Sequence, residues 1–300
     1  MLEVILLGTG GSMPLKNRHL SSCMLRNNGS SILIDCGEGT QIAIKECGLT
    51  FKPIDAIFIT HFHADHVSGL PGLLLSMGNE GRTERITIIG PVGVQRVVNS
   101  LRVIAPELPF GIEFLELNDQ MGTFSIKDYL MTPFMLYHTM ECFGCVVEIS
   151  RLGKFIPQKA IELGIPVALW GIIQKTGSAS HGDIVYTRDM VMGEPRKGLK
   201  FCYCTDTRPI PVIEQMVKNA DLFVCEGMYE DEEKLERAVI TRHMLFSEAI
   251  NIAKNAKVKR LWLTHYSPSL INPELSPGVS GIDEAVCGID GMRTMLKFED

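Results

Sequence analysis

The stretch "THFHADHVSG" (60–69) decides how this chain is read. It places His61, His63, Asp65 and His66 within six positions, in a chain with only eight histidines. Imidazole is the commonest metal ligand, and zinc takes both imidazole nitrogen and carboxylate oxygen. The preceding "AIFIT" (56–60) is a short apolar run and predicts a buried strand. His61 and His63 then leave the strand end on one side, and Asp65 and His66 come from the turn and the first helical residues. Four such groups do not easily converge on one tetrahedral ion. They can serve two ions side by side if distant residues complete each shell.

Those distant residues have candidates. "MTPFMLYH" ends at His138, "VITRH" at His243 and "LWLTH" at His265, all read as strand-end contexts. Asp206 follows the strand "KFCYC", and its two carboxylate oxygens can bridge two cations. Sheets of this kind collect functional groups at the C-terminal edges of their strands. Two adjacent divalent ions suit hydrolysis, because they generate a nucleophile from water at neutral pH and stabilise displacement at phosphorus or attack at a carbonyl. Ligand chemistry alone does not choose between those two. Asp35, ending "ILID", either braces a ligand histidine from behind or is a plain turn carboxylate.

Away from these residues, 300 positions at 45% hydrophobic content can bury one large core or two small ones. Short apolar runs predict strands at 4–7, 32–35, 56–60, 86–89, 112–117, 145–149, 199–204, 222–225 and 260–264. Helices are expected near 38–47, 68–78, 91–105, 209–219, 245–256 and 282–297. The mixture predicts an α/β or α+β layered domain. Residues 151–198 break the pattern: three prolines interrupt them, and basic side chains outnumber the acidic Glu162, Asp183, Asp189 and Glu194. This stretch reads as an arm inserted into a single domain spanning 1–300, against the plainer alternative of a long loop with a satellite helix.

Composition excludes several classes. A formal charge of −6 argues against a general nucleic-acid binder, although a local basic cluster is compatible with it. No apolar run reaches the roughly 18 residues of a membrane span. "MLEVILLGTGGS" (1–12) carries Glu3 and no basic lead-in, so it reads as a strand and turn rather than a signal peptide, and a cytoplasmic location is expected. Nine scattered cysteines, with Cys142 and Cys145 as a lone C-x-x-C, read as reduced buried thiols. "GTGGSM" (8–13) fails the dinucleotide pattern at Met13, so its glycines are read as a tight turn beside the metals. "GEGT" (37–40) reads as a turn opening a helix.

"THFHADH" with the later His138, Asp206 and His265 resembles the H-x-H-x-D-H signature of the metallo-β-lactamase superfamily. Four further stretches resemble the ribonuclease Z family of tRNA 3′-processing endonucleases: "LLGTGGSMPLKNRHLSSCML" (6–25), "LIDCGEGTQ" (33–41), "HADHVSGLPGLL" (63–74) and "TDTRP" (205–209). The resemblance implies an α+β fold, the four-layer αββα sandwich. It implies one ion on His61, His63 and His138, a second on Asp65, His66 and His265, and Asp206 bridging them. The ions would be zinc, with manganese as the alternative. Asp65 would also orient or deprotonate the attacking water, His243 would act at the scissile phosphate, and Glu226 would orient His243. A homodimer acting on precursor tRNA is implied, with 151–198 at the place of the family's tRNA-gripping arm. That arm here reads "GIPVALWG" (164–171) where the family has a Gly-Pro-rich turn. Arg18, Arg208, Lys154, Lys159 and Lys175 are candidates for phosphate contacts, with buried pairing the alternative for the two arginines and a solvated surface for the lysines. A small-substrate metallo-hydrolase, a phosphodiesterase or lactonase on the same fold, is the alternative function.

Overall fold

The structure is a computed structural model that describes residues 1–276 and 285–299. The chain divides into two compact units, one made of Met1–Ile149 with Leu199–Lys297, the other of Ser150–Gly198 with the segment from Phe298.

Two seven-stranded mixed sheets make up most of the first unit, and two strands of the second sheet run on to its boundary with the other unit. From edge to edge, the first sheet runs Arg293–Leu296, Leu2–Gly8, Ser22–Asn27, Ser30–Ile34, Ile54–Phe58, Ile86–Pro91 and Ile112–Leu117. The second runs Ala285–Cys287, Leu261–Thr264, Leu222–Glu226, Arg196–Cys204, Phe143–Arg151, Tyr129–Met135 and Phe124–Ile126. Strands buried on both faces need apolar side chains at every position, which is why "ILLG", "ILI" and "LFVC" read as continuous runs.

Helices cover the outer face of each sheet. Ala43, Ile44, Leu70, Leu73, Leu74, Met77, Val94 and Val98, from helices Thr40–Glu46, Leu70–Asn79 and Val94–Leu101, pack on Ile5, Leu7, Leu33, Ile57 and Ile88. On the second sheet, Ile213 and Val217 of Pro211–Val217 and Phe246, Ala249, Ile250 and Ala253 of Phe246–Asn255 pack on Cys202, Cys204, Phe223, Cys225, Leu261 and Leu263. The second set falls at i, i+3, i+4 and i+7, one face of an α-helix. The inner faces meet: the Tyr129 hydroxyl donates to Ser30 O at 2.8 Å. The result is four layers, αββα. All nine cysteines are free thiols, as expected, and seven are buried. Burial pushes the Cys202 thiol to about 12.

Register positions the site. Ile34 is aligned with Phe58 in the first sheet, and Cys204 with Cys225 and Cys225 with Leu263 in the second. The chain therefore leaves neighbouring strands at one level, delivering Asp35 and His61 on one sheet and Asp206, Glu226 and His265 on the other.

Two sequence expectations are corrected. The helix expected over 282–297 is replaced, in its described part, by strands Ala285–Cys287 and Arg293–Leu296; residues 282–284 lie outside the described residues. Gly291 takes φ +81° in the turn between them, and the strands pair with Leu261–Leu263 and Leu2–Ile5, so sheet pairing overrides an apolar spacing that suits a helix. His243 does not end a strand. "LERAVIT" forms helix Leu235–Thr241, with good helix formers ahead of the β-branched Val239 and Ile240, and Arg242 closes it at φ +57°.

In the second unit, helices Pro157–Glu162 and Val167–Thr176, hairpin Ser178–His181 with Ile184–Thr187, and the turn Arg188–Val191 surround a small core of Ala160, Ile165, Ile173, Tyr186 and Val191. Residues 151–198 thus carry ordered elements with a small core of their own.

Candidate metal centre

His63 stands at the N-terminal end of the short helix Ala64–Val67, in which Asp65 and His66 are buried. Asp35, Asp206 and His265 each follow a strand and take positive φ, at 59°, 35° and 60°. Left-handed backbone is uncommon outside glycine and costs energy that packing must repay. Here it turns each side chain back toward the space between the strand ends.

Two sets of donors result. His61 Nε2 and His63 Nδ1 are 3.0 Å apart, His138 Nε2 and His63 Nδ1 3.2 Å, and Asp206 Oδ2 is 3.6 Å from both His61 Nε2 and His138 Nε2. In the second set, His66 Nε2 and His265 Nε2 are 3.2 Å apart, and Asp65 Oδ2 lies 3.5 and 3.3 Å from them. Asp206 Oδ1 is 3.3 Å from His66 Nε2 and 3.1 Å from His265 Nε2. Ligands tetrahedral about zinc at its usual bond lengths stand about 3.3 Å from one another, so both sets fit a divalent ion. One Asp206 oxygen belongs to each set.

The outer nitrogens of the histidines fix which atom faces inward. Asp35 accepts from Thr60 N and the Thr60 hydroxyl, and Asp35 Oδ2 is 2.7 Å from His66 Nδ1. The Thr60 hydroxyl spends its proton on Asp35, so its oxygen accepts from His61 Nδ1 at 3.0 Å. His138 Nδ1 donates to Arg242 O at 3.2 Å. Of the two readings of Asp35, bracing a ligand histidine is the one the geometry matches.

Burial, together with neighbouring imidazoles, holds His61 well below its ordinary pKa, and burial lowers His63 and His138 despite Asp206 nearby. Neutral imidazoles keep the lone pairs a metal needs. Burial alone would raise Asp65 and Asp206, but hydrogen bonds and charge from His265 and His66 hold both below the usual carboxylate range.

His243 lies beside the second set, its ring stacked on His265 at 5.4 Å between centroids. Its Nδ1 is 3.1 Å from Glu226 Oε2, and Glu226, fully buried, also accepts from Met244 N and Thr207 N. Burial lowers the His243 pKa, but the Glu226 carboxylate outweighs it and raises it to about 9.

The other candidates fall elsewhere. Arg208 is committed to Glu248 through both terminal nitrogens and donates to His243 O at 2.6 Å. It holds the corner that carries His243 instead of facing solvent. Arg18 is buried, donates to Ile271 O and lies over the Tyr266 ring. Arg208 thus pairs with a carboxylate, whereas Arg18 meets a backbone carbonyl and an aromatic ring. Lys154, Lys159 and Lys175 are exposed in the second unit, where Lys159 Nζ donates to Met192 O at 3.3 Å. Sequence reasoning missed Thr60, Arg242, Glu248 and Ser12, whose N–H donates to Asp65 Oδ2 at 2.7 Å. It read the glycine turn correctly: a Cβ on Gly11 would lie 2.6 Å from the His265 ring.

Residues 2–107 match the family model described as Anti-Pycsar protein Apyc1, and residues 187–266 match a beta-lactamase superfamily domain. Ribonuclease Z of Lachnoclostridium phytofermentans is 53% identical, covering 100% of this chain and 99% of that protein. Ribonuclease Z of Agathobacter rectalis is also 53% identical, covering 100% of both. Among solved structures, the short form of human tRNase Z matches with a TM-score of 0.71 at 24% identity, covering 99% of this chain and 100% of that one. The metallo-beta-lactamase fold protein YhfI of Bacillus subtilis matches with a TM-score of 0.69 at 16% identity, covering 98% of each chain. At those identities the structural likeness speaks for the fold.

Proposed function

The chain belongs to the ribonuclease Z family, and we propose that it is a metal-dependent endoribonuclease that removes 3′ trailers from precursor tRNA. The observation that carries the chemistry is the division of Asp206, one oxygen in each donor set. It supports two ions held side by side. Sets of imidazole nitrogen and carboxylate oxygen at this spacing suit zinc, and manganese accepts the same donors. When bound, the ions supply charge stabilisation at phosphorus and a nucleophile from water at neutral pH.

The chain's own groups divide the remaining work. Ser12 N–H aims Asp65, whose ionised carboxylate orients the attacking water or takes its proton. Glu226 keeps His243 Nδ1 engaged, leaving Nε2 to give a proton to the 3′ oxygen as its bond to phosphorus breaks. The products are a tRNA with a 3′-hydroxyl and a trailer with a 5′-phosphate. Residues 151–198, with Lys154, Lys159 and Lys175 exposed, are assigned to gripping tRNA. A homodimer in the cytoplasm completes the reading; it rests on family resemblance and is checked by mass in solution and by fractionation. Among the described residues, no helix is long and apolar enough to cross a membrane.

Incubation with a precursor tRNA bearing a 3′ trailer tests the proposal. Cleavage is expected. An intact precursor alongside turnover of a small phosphodiester would replace it with the small-substrate alternative.

A further inference from the structure

Asp290 lies in "CGIDGM" (287–292), beyond the last ligand in the chain, His265. The turn that carries it is tied to the first strand, with Gly291 N donating to Leu6 O at 2.8 Å and Leu6 N to Met292 O at 2.9 Å. From that fixed turn its carboxylate grips both ends of the loop after the first strand. Oδ1 accepts from Thr9 N at 2.9 Å and from the Thr9 hydroxyl at 2.7 Å, and Oδ2 accepts from His19 N at 2.5 Å. Three donors on two oxygens need a carboxylate, because an amide would set its own N–H groups against one of them.

What lies between those anchor points touches one half of the centre. Thr9 O accepts from Tyr266 N, next to His265, and Gly11 N donates to Tyr266 O. Gly11 packs against the His265 ring. Ser12 N donates to Asp65 Oδ2. Among the described residues, these contacts fall on Asp65, His265 and its neighbour Tyr266, and on none of His61, His63 and His138. Asp290 therefore bears on Asp65 and His265 through this loop.

We propose that Asp290 is a positioning residue for the Asp65–His66–His265 half of the metal centre, acting through the loop 9–19. The inference rests on reading that centre as a two-ion site. Partners that orient metal ligands typically cost 10–100-fold in metal affinity when removed, and Asp290 acts on two ligands through one loop.

The test is release of zinc from the zinc-loaded protein to a chromophoric chelator, followed as two phases. Asp290→Asn is expected to speed one phase by about 10-fold or more and leave the other unchanged. Thr9→Val, which removes one of the three bonds, is expected to shift the same phase by less. Both phases unchanged in Asp290→Asn would overturn the proposal. So would both phases shifting equally, since that marks general loosening; Thr9→Val applies the same criterion if Asp290→Asn does not fold. Wild-type protein that retains one ion or none would instead overturn the two-ion reading, and this inference with it.

Discussion

Glu226 and His243 form a buried acid–imidazole pair, Oε2 to Nδ1 at 3.1 Å, in which the carboxylate has two further backbone donors. The histidine is thus held by a group that cannot swing away. His243 lies beside the metal donors, and its Nδ1 is occupied. Replacing it should remove proton delivery and leave the ions in place. We expect His243→Ala to lower the rate of precursor cleavage by roughly 10²–10⁴-fold while the metal content per chain is unchanged. Single-turnover kinetics and elemental analysis check the two halves of this statement, and lost metal would move His243 into the ligand set.

The same pair makes a prediction about pH for protein stripped of metal. The folded His243 titrates at about 9, above its ordinary 6.5. The folded state therefore binds more protons than the unfolded state between those values, and stability falls as pH rises across that window. His66 moves in the same direction: burial would lower it, but Asp206 and Asp35 raise it well above 6.5. Glu226→Gln removes the largest contribution that raises His243, so its melting temperature should fall less than the wild type's between pH 6.5 and 9. Parallel curves would show that Glu226 does not hold the proton on His243.

Asp35 supports the centre without belonging to it. Its carboxylate binds His66 Nδ1 and, through Thr60, fixes His61. Asp35→Asn should weaken metal affinity by about 10–100-fold, measured by competition with a chelator of known affinity. Unchanged affinity would reduce Asp35 to a turn carboxylate.

Arg208 separates two roles by kinetics. A phosphate contact would raise KM when lost. The structure pairs Arg208 with Glu248, which also accepts from Leu245 N at the start of the helix that follows His243. Arg208→Ala should accordingly lower kcat and the melting temperature and leave KM nearly unchanged. A raised KM with normal kcat would return Arg208 to the substrate.

The ligand-rich stretch 60–66 was legible because so many metal-binding groups in so few positions have little other use. His138, Asp206 and His265 were legible as polar residues next to apolar strands. His243 is legible as a residue but not in its element, because Val239 and Ile240 suggest a strand while the residues before them build a helix. The bonds of Arg208 were not legible. Its partner Glu248 lies 40 positions away, and only the packing of a helix beside the strand end brings them together. Asp290 is farther still, 281 positions from Thr9, in a segment whose apolar spacing suggested a helix until sheet pairing is known. Local pattern reveals the ligands; the groups that aim them are chosen by tertiary contact.

The central claim is hydrolysis at one phosphodiester of precursor tRNA. The most direct measurement is cleavage of a trailer-bearing precursor by the metal-loaded protein in ¹⁸O-enriched water, with both new ends analysed by mass. The account predicts a single cut, a tRNA ending in an unlabelled 3′-hydroxyl, and a trailer whose 5′-phosphate carries the label. A 2′,3′-cyclic phosphate on the tRNA, or an intact precursor under conditions where a small phosphodiester is hydrolysed, would contradict it.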